Sequence, residues 1–249
     1  MNNLILTAVE AARAAGKAIM EVYAQAFEVY TKDDDSPVTQ ADLRASNLIK
    51  DMLRETGLPF VSEEDLPPDR SGLGRYWLVD PLDGTAEFVK RNGEFTVNIA
   101  LIENKRPVLG VIYAPTTDQL WWNDLLQVHC CEGKMAQTAE KRPFTVLVSR
   151  SHRTPEVDEY IDKVLRPNHP DLVIDSQGSS LKFARLVEGT ADVYVCYSKT
   201  KEWDTAAADA ILTAAGGKVL RISDGLPLEY DKDTYPNPPF VAWAPSHQA

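Results

Sequence analysis

The chain has 249 residues, 44% of them hydrophobic and 25% charged, with a formal net charge of −11. That length admits one large domain or two smaller ones around a shared core, and the composition is that of a globular protein, neither disordered nor fibrous. The acidic excess argues against a broad basic face, and so against a nucleic-acid polymer as partner. Anionic small molecules stay open, because bound cations invert a local field.

The three cysteines, Cys130, Cys131 and Cys196, make no CxxC spacing and predict free thiols in a reducing compartment. The N-terminal MNNLILTAVEAARAAGK has no basic stretch before its apolar residues, and Glu10 and Arg13 interrupt the run. It predicts neither a signal peptide nor an integral membrane segment. The expected location is cytoplasmic, with peripheral attachment at the inner membrane as an option.

Apolar residues at Leu4, Ile5, Ala8, Val9, Ala12, Ile19, Val22, Tyr23 and Ala26 predict an amphipathic helix over 3–28. A strand follows at 28–32, then a turn at DDDSP, then a second helix from Val38 to Glu55. PFVS at 59–62 is a short apolar segment that delivers Glu63 and Glu64. Tyr76 to Val79 is a buried strand running into Asp80-Pro81-Leu82-Asp83-Gly84-Thr85, read as a loop of turn formers. Further strands are expected at 95–102, 107–113, 119–122, 145–149 and 191–197. Helices are expected at 156–165, 181–188 and 205–215, the last closed by Gly216-Gly217. A soft division falls near 135–145, giving an N-terminal α+β metal-binding part over 1–140 and a C-terminal α/β part over 141–249.

Asp80 and Asp83 could meet at one cation if the chain turns between them, and Pro81 and Gly84 favour a turn. An oxygen-only ligand set suits a hard cation such as Mg²⁺. The plainer reading is that the pair caps a helix or decorates a solvated turn. Glu63-Glu64 could equally be a solvated pair or carboxylates aimed into a cleft. Asp204, opening a helix in Trp203-Asp204-Thr205, could be its N-cap, an anion site or both. Asp42 reads most simply as a first-turn acid favoured by the helix dipole.

In combination these segments are far more specific. SEED at 62–65, WLVDPLDGT at 77–85 and EWDTAAA at 202–208 stand in the order that marks the inositol monophosphatase superfamily, and the resemblance covers essentially the whole chain. DSPVTQAD at 35–42, DPLDGTAEFVKRNGEFTVNIALI at 80–102, LGVIYAP at 109–115, SRSH at 149–152 and GSSLKF at 178–183 narrow it. The chain most resembles the bacterial 3'(2'),5'-bisphosphate nucleotidases of the CysQ type. The resemblance implies a layered α/β/α/β/α sandwich, a mixed α/β (α+β) fold, with the active site between the two parts.

It also implies a Mg²⁺-dependent phosphatase that removes the 3'-phosphate of adenosine 3',5'-bisphosphate, a by-product of sulfate assimilation. The sulfated nucleotide is a second candidate substrate, and inhibition by Li⁺ and by excess Ca²⁺ is expected. Glu63, Asp80, Asp83, the Leu82 carbonyl and Asp204 would hold two or more metals. Glu63 and Thr85 would position the attacking water, and Asp42 would orient Thr85. Gly84, Thr85, His152, Ser179, Lys182 and Asp204 would contact substrate. An inositol- or sugar-phosphate phosphatase on the same scaffold is the nearest alternative. A non-catalytic binding protein is the more distant one, and it has no need of a water-activating pair.

Two departures stand out. Cys196 occupies the place where the resemblance leads to an Arg, whose loss would weaken anion recognition; Lys199 or Lys201 are the candidates to compensate. NDLLQVHCCEGKMAQ at 123–137 lacks the expected Gly-rich pattern, and His129, Cys130 and Cys131 there could bind a soft metal or simply pack.

Overall fold

In the first helix, α1 (Asn2–Tyr23), Ile5, Ala8, Ala12, Ala15, Ile19 and Val22 recur at helical spacing and are all buried. In this computed structural model the described residues are 2–31, 37–67, 72–124, 127–131 and 142–246. The strands β1 (Val29–Thr31) and β2 (Pro37–Thr39) pair antiparallel. Thr39 then caps α2 (Gln40–Leu53), which packs beside α1. Most of the DDDSP turn, including Asp35 and Ser36, lies outside the described residues.

Six strands follow as one sheet: β3 (Phe60–Ser62), β4 (Arg75–Asp83), β5 (Thr96–Glu103), β6 (Arg106–Ala114), β7 (Gln119–Asn123) and β8 (Val128–Cys131), in sequential order. The first pair is parallel and the rest antiparallel. A short helix, α3 (Thr85–Val89), interrupts the run between β4 and β5. Side chains alternate across the sheet. Trp77, Val79, Ile99 and Leu101 face α1 and α2, while Tyr76, Leu78, Ala100 and Ile102 face a second core on the other side.

The remaining chain gives β9 (Thr145–Ser149), α4 (Pro155–Tyr160) continued by a π-helical turn at Ile161–Leu165, β10 (Val173–Gln177), α5 (Leu181–Val187), β11 (Val193–Cys196), α6 (Glu202–Ala214), β12 (Lys218–Arg221) and β13 (Phe240–Trp243). Its five strands order as β10-β9-β11-β13-β12. The segments TVLVS and VYVC are nearly continuous apolar runs because both faces are covered. Leu147, Tyr194, Phe240 and Ala242 join α5 and α6 in the core shared with the first sheet. Val146, Val148, Val193, Val195 and Val241 face α4 and the π turn. The layers are thus α1 with α2, the six-stranded sheet, α5 with α6, the five-stranded sheet, and α4. This is the expected α/β/α/β/α sandwich.

Two local departures from the sequence expectation shape the cavity. Asp80–Asp83 is a continuation of β4 and not a loop. Asp80 pairs with Asn98 and Asp83 with Thr96, so three steps on β4 match two on β5, a one-residue bulge at Pro81-Leu82. Proline has no N–H for the ladder, which favours a bulge there. Helix α6 starts at Glu202, so Asp204 is its third residue and the N-cap position falls to Lys201. The strands β2, β8, β10, β12 and β13 and helix α3 were not expected from the sequence, the second helix starts at Gln40 and not at Val38, and most of the polar stretch at 135–145 lies outside the described residues.

Candidate active site

On a regular strand, side chains three residues apart point to opposite faces. The bulge inserts one extra residue and returns Asp83 to the face that carries Asp80. Strand β3 runs parallel to β4 and delivers Glu63 beside it, with the Glu63 N–H donating to the Val79 carbonyl at 3.1 Å. Helix α6 brings Asp204 from the facing layer. These four carboxylates share the wall of one cavity of about 400 Å³. Leu82, Gly84, Thr85, His152, Ser179 and Lys182 line the same cavity.

Of the sequence-derived site residues, Asp42 alone is not on that wall; it sits directly behind it. Its Oδ2 accepts from the Thr39 N–H and hydroxyl, both at 2.7 Å, closing a capping box at the start of α2. Its Oδ1 accepts from the Thr85 hydroxyl at 3.0 Å, which also lies 3.2 Å from the Leu82 carbonyl. The Thr85 proton is therefore directed inward, and the hydroxyl oxygen keeps lone pairs for the cavity. Asp42 is buried, and that burial raises its pKa against the lowering effect of these hydrogen bonds.

The three aspartates on the wall are each anchored from behind. Asp80 Oδ1 accepts from the Leu82 N–H at 3.1 Å. Asp83 Oδ2 accepts from the Ser180 N–H at 2.7 Å and from Asn98 Nδ2 at 3.1 Å. Asp204 Oδ2 accepts from the Lys201 N–H at 2.9 Å. Gly84 has a φ of +92°, and a side chain there would meet the Glu94 carbonyl at 3.0 Å, so the turn into Thr85 requires glycine.

Burial pushes Asp80 well above the ordinary carboxylate range, and the charges of Glu63, Asp83 and Asp204 add to it. Asp204 is raised in the same way, by burial and then by Asp83 and Glu63. Burial lifts Asp83 to about 6, opposed first by the nearby Lys182 ammonium. The set resists carrying its full negative charge together, which is the situation a divalent cation relieves. Among the described residues no three His, Cys, Asp or Glu side chains form a ready-made ligand cluster; Asp80, Asp83 and Asp204 each have one carboxylate oxygen engaged by backbone or amide N–H donors. The donor set, oxygen alone, fits a hard cation.

Lys182 is buried, unlike an ordinary helix lysine. Its Nζ donates to the Ser179 carbonyl at 2.6 Å and the Gln177 carbonyl at 3.2 Å, and it stands 5.1 Å from the Tyr194 ring centroid. Burial lowers its pKa, opposed by Asp83. It braces the turn in which Ser179 has a φ of +47° and Ser180 holds Asp83. Asn98 and Ser180 were not singled out from the sequence. Their mutual bond is 2.7 Å, and the available signal was an amide inside the apolar run TVNIALI.

His129 stacks on Trp122 at 5.1 Å and lies 3.1 Å from Asp124, away from this cavity; the side chains of Cys130 and Cys131 lie outside the described residues. Cys196 is a free, buried thiol in β11. No helix among the described residues is long and apolar enough to cross a membrane.

Comparison with known proteins finds relatives along almost the whole chain. The 3'(2'),5'-bisphosphate nucleotidase CysQ of Escherichia coli O157:H7 is 45% identical over 244 residues, covering 92% of this chain and 95% of its own. The protein of the same name from Salmonella typhimurium is 46% identical over 239 residues with the same coverage. The crystal structure of CysQ from Bacteroides thetaiotaomicron superposes with a TM-score of 0.87 at 39% identity, covering 96% of each chain. A family model, the inositol monophosphatase family, matches residues 1–248, and the chain belongs to that family.

Proposed function

We propose that this protein is a 3'(2'),5'-bisphosphate nucleotidase that converts adenosine 3',5'-bisphosphate to AMP and phosphate, the sulfated nucleotide being a second substrate. Identity of 44–46% across nearly the whole length of curated nucleotidases carries the nucleotide assignment. The bulge that gathers Asp80 and Asp83 beside Glu63 and Asp204 supports the phosphatase chemistry. Glu63, Asp80, Asp83, the Leu82 carbonyl and Asp204 would hold Mg²⁺, two or more ions per site. When bound, Mg²⁺ supplies neutralisation of phosphate oxygens and acidification of a bound water.

The chain's own groups do the rest. Glu63 and the Thr85 hydroxyl orient the attacking water, and Asp42 fixes Thr85 by accepting the hydrogen bond its hydroxyl donates. The backbone N–H groups of Gly84 and Thr85 hold the phosphate. Ser179, His152 and Lys182 line the nucleotide side, Lys182 acting through the turn it braces. The water oxygen bonds to phosphorus, the bond from phosphorus to the 3' oxygen breaks, and that oxygen leaves with a proton. A role in sulfur metabolism, lithium sensitivity and a cytoplasmic location belong to the same proposal. So does the division at 140/141, with the core built by α6 between the sheets shared by both parts.

The test is phosphate release from adenosine 3',5'-bisphosphate in excess chelator and after Mg²⁺ is restored. Activity should vanish and return. Full turnover in chelator contradicts the metal assignment.

A further inference from the structure

A nucleoside bisphosphate brings two phosphates into the cavity, so this inference rests on the nucleotidase reading. The carboxylate end deals with the phosphate that is cleaved. The other needs a cation supplied by the protein, and three basic side chains line the cavity: His152, Lys182 and Lys199. Lys182 is committed. Two of its three donors go to backbone carbonyls, and its charge acts on Asp83. His152 offers an imidazole on a short stem. Lys201, the other basic residue of this segment, is not on the cavity wall; its ammonium lies 5.3 Å from the Trp203 ring centroid.

Lys199, like His152, lies on the cavity wall, is exposed, and has no side-chain hydrogen-bond or ion-pair partner among the described residues. It differs from His152 in carrying an ammonium on a four-carbon stem, which reaches further and donates three hydrogen bonds. The backbone on both sides of it is pinned. On one side Cys196 Sγ donates to the Ser198 carbonyl at 3.8 Å. On the other, the Asn237 N–H donates to the Thr200 carbonyl at 2.8 Å, and Asn237 Nδ2 donates to the Lys201 carbonyl at 2.7 Å. A held backbone thus presents a flexible side chain with a free ammonium to the cavity, flanked on the wall by Ser198 and Thr200.

We propose that Lys199, with the Ser198 and Thr200 hydroxyls beside it, receives the phosphate that is not cleaved. A lysine suits this place: a point charge on a flexible stem needs no bidentate geometry. With the buried thiol of Cys196 at its end, β11 itself offers no basic side chain for that phosphate.

The test compares kcat/KM on adenosine 3',5'-bisphosphate with that on 3'-AMP, which keeps the scissile group and lacks the other. The wild type should prefer the bisphosphate. Lys199→Ala should lower kcat/KM on the bisphosphate about tenfold, chiefly through KM, and leave 3'-AMP unchanged. Lys199→Arg should recover most of the loss. Lys182→Met, which loosens the turn under Asp83, should harm both substrates. An unaltered bisphosphate value in Lys199→Ala, or an equal loss on both substrates, overturns the assignment. A selective bisphosphate loss in Lys182→Met, with none in Lys199→Ala, transfers the role to Lys182. A wild type that prefers the bisphosphate while Lys199→Ala keeps that preference refutes Lys199 alone. A wild type with no preference refutes the bisphosphate reading and this inference with it.

Discussion

Asp83→Asn is expected to lower kcat by about 10²-fold or more while the protein stays folded. The amide keeps the shape, and its oxygen can still accept from the Ser180 N–H and Asn98, so the bulge and the 177–180 turn are held as before. What goes is one negative charge among four clustered carboxylates. Metal affinity should fall with it, seen as a rightward shift of the Mg²⁺ activation curve. Stability should move the other way. The folded-state pKa of Asp83, about 6, lies above the ordinary carboxylate value. Its contribution to stability is therefore fully present below about pH 4 and is lost as pH rises through about 6. Asparagine does not ionise, so in metal-free protein the variant should melt above the wild type at about pH 8 and alongside it at low pH. Unchanged turnover, or a variant that melts lower at both pH values, would show that Asp83 is only a structural residue of the bulge.

Gly110→Ala should be the most damaging small substitution outside the cavity. Gly110 lies in β6, where α6 crosses the sheet backbone to backbone. A Cβ there would stand 2.2 Å from the Ala207 carbonyl oxygen and 2.9 Å from its carbon. No flexible side chain can yield, so the helix itself has to move. Overpacking of this kind costs about 3 kcal/mol, a fall in Tm on the order of 10 °C for a chain of this size. The displaced helix carries Asp204 one turn away, so the Mg²⁺ needed for half-maximal activity should rise as well. Thermal melting and a Mg²⁺ titration read the two effects. A normal Tm with normal Mg²⁺ dependence would mean that the close approach does not set the position of α6.

The sequence carried the long periodic elements and the identity of the cavity residues. Helix α1 and strands β4 to β7 were legible because their apolar residues keep a strict period or an unbroken run. The strands β10, β12 and β13 were not. Each is short, and Val173 and Ile174 on the edge strand β10 are exposed, so no buried run marks it. The bulge was hidden for a different reason. Asp-Pro-Leu-Asp-Gly carries every residue of a turn, and only its pairing with Asn98 and Thr96 shows that the strand continues. Asp42 could be named from the family pattern, but its hold on Thr85 spans 43 residues of sequence and is a tertiary contact. Lys182 shows the limit most plainly. Its position in GSSLKF indicated a helix lysine near substrate, and nothing in the sequence indicated that two carbonyls and the Tyr194 ring would claim it.

The central claim is that this cavity is built for a nucleoside 3',5'-bisphosphate. The most direct test is kcat/KM of the wild-type protein in Mg²⁺ on four substrates side by side. They are adenosine 3',5'-bisphosphate, its sulfated form, inositol 1-phosphate and fructose 1,6-bisphosphate. The adenosine bisphosphate should be hydrolysed to 5'-AMP at least about tenfold more efficiently than inositol 1-phosphate, which lacks the second phosphate, a margin that one charge-assisted contact to that phosphate can supply, and more efficiently than fructose 1,6-bisphosphate, whose second phosphate sits on a different framework. Equal or better turnover of inositol 1-phosphate or fructose 1,6-bisphosphate would contradict the claim.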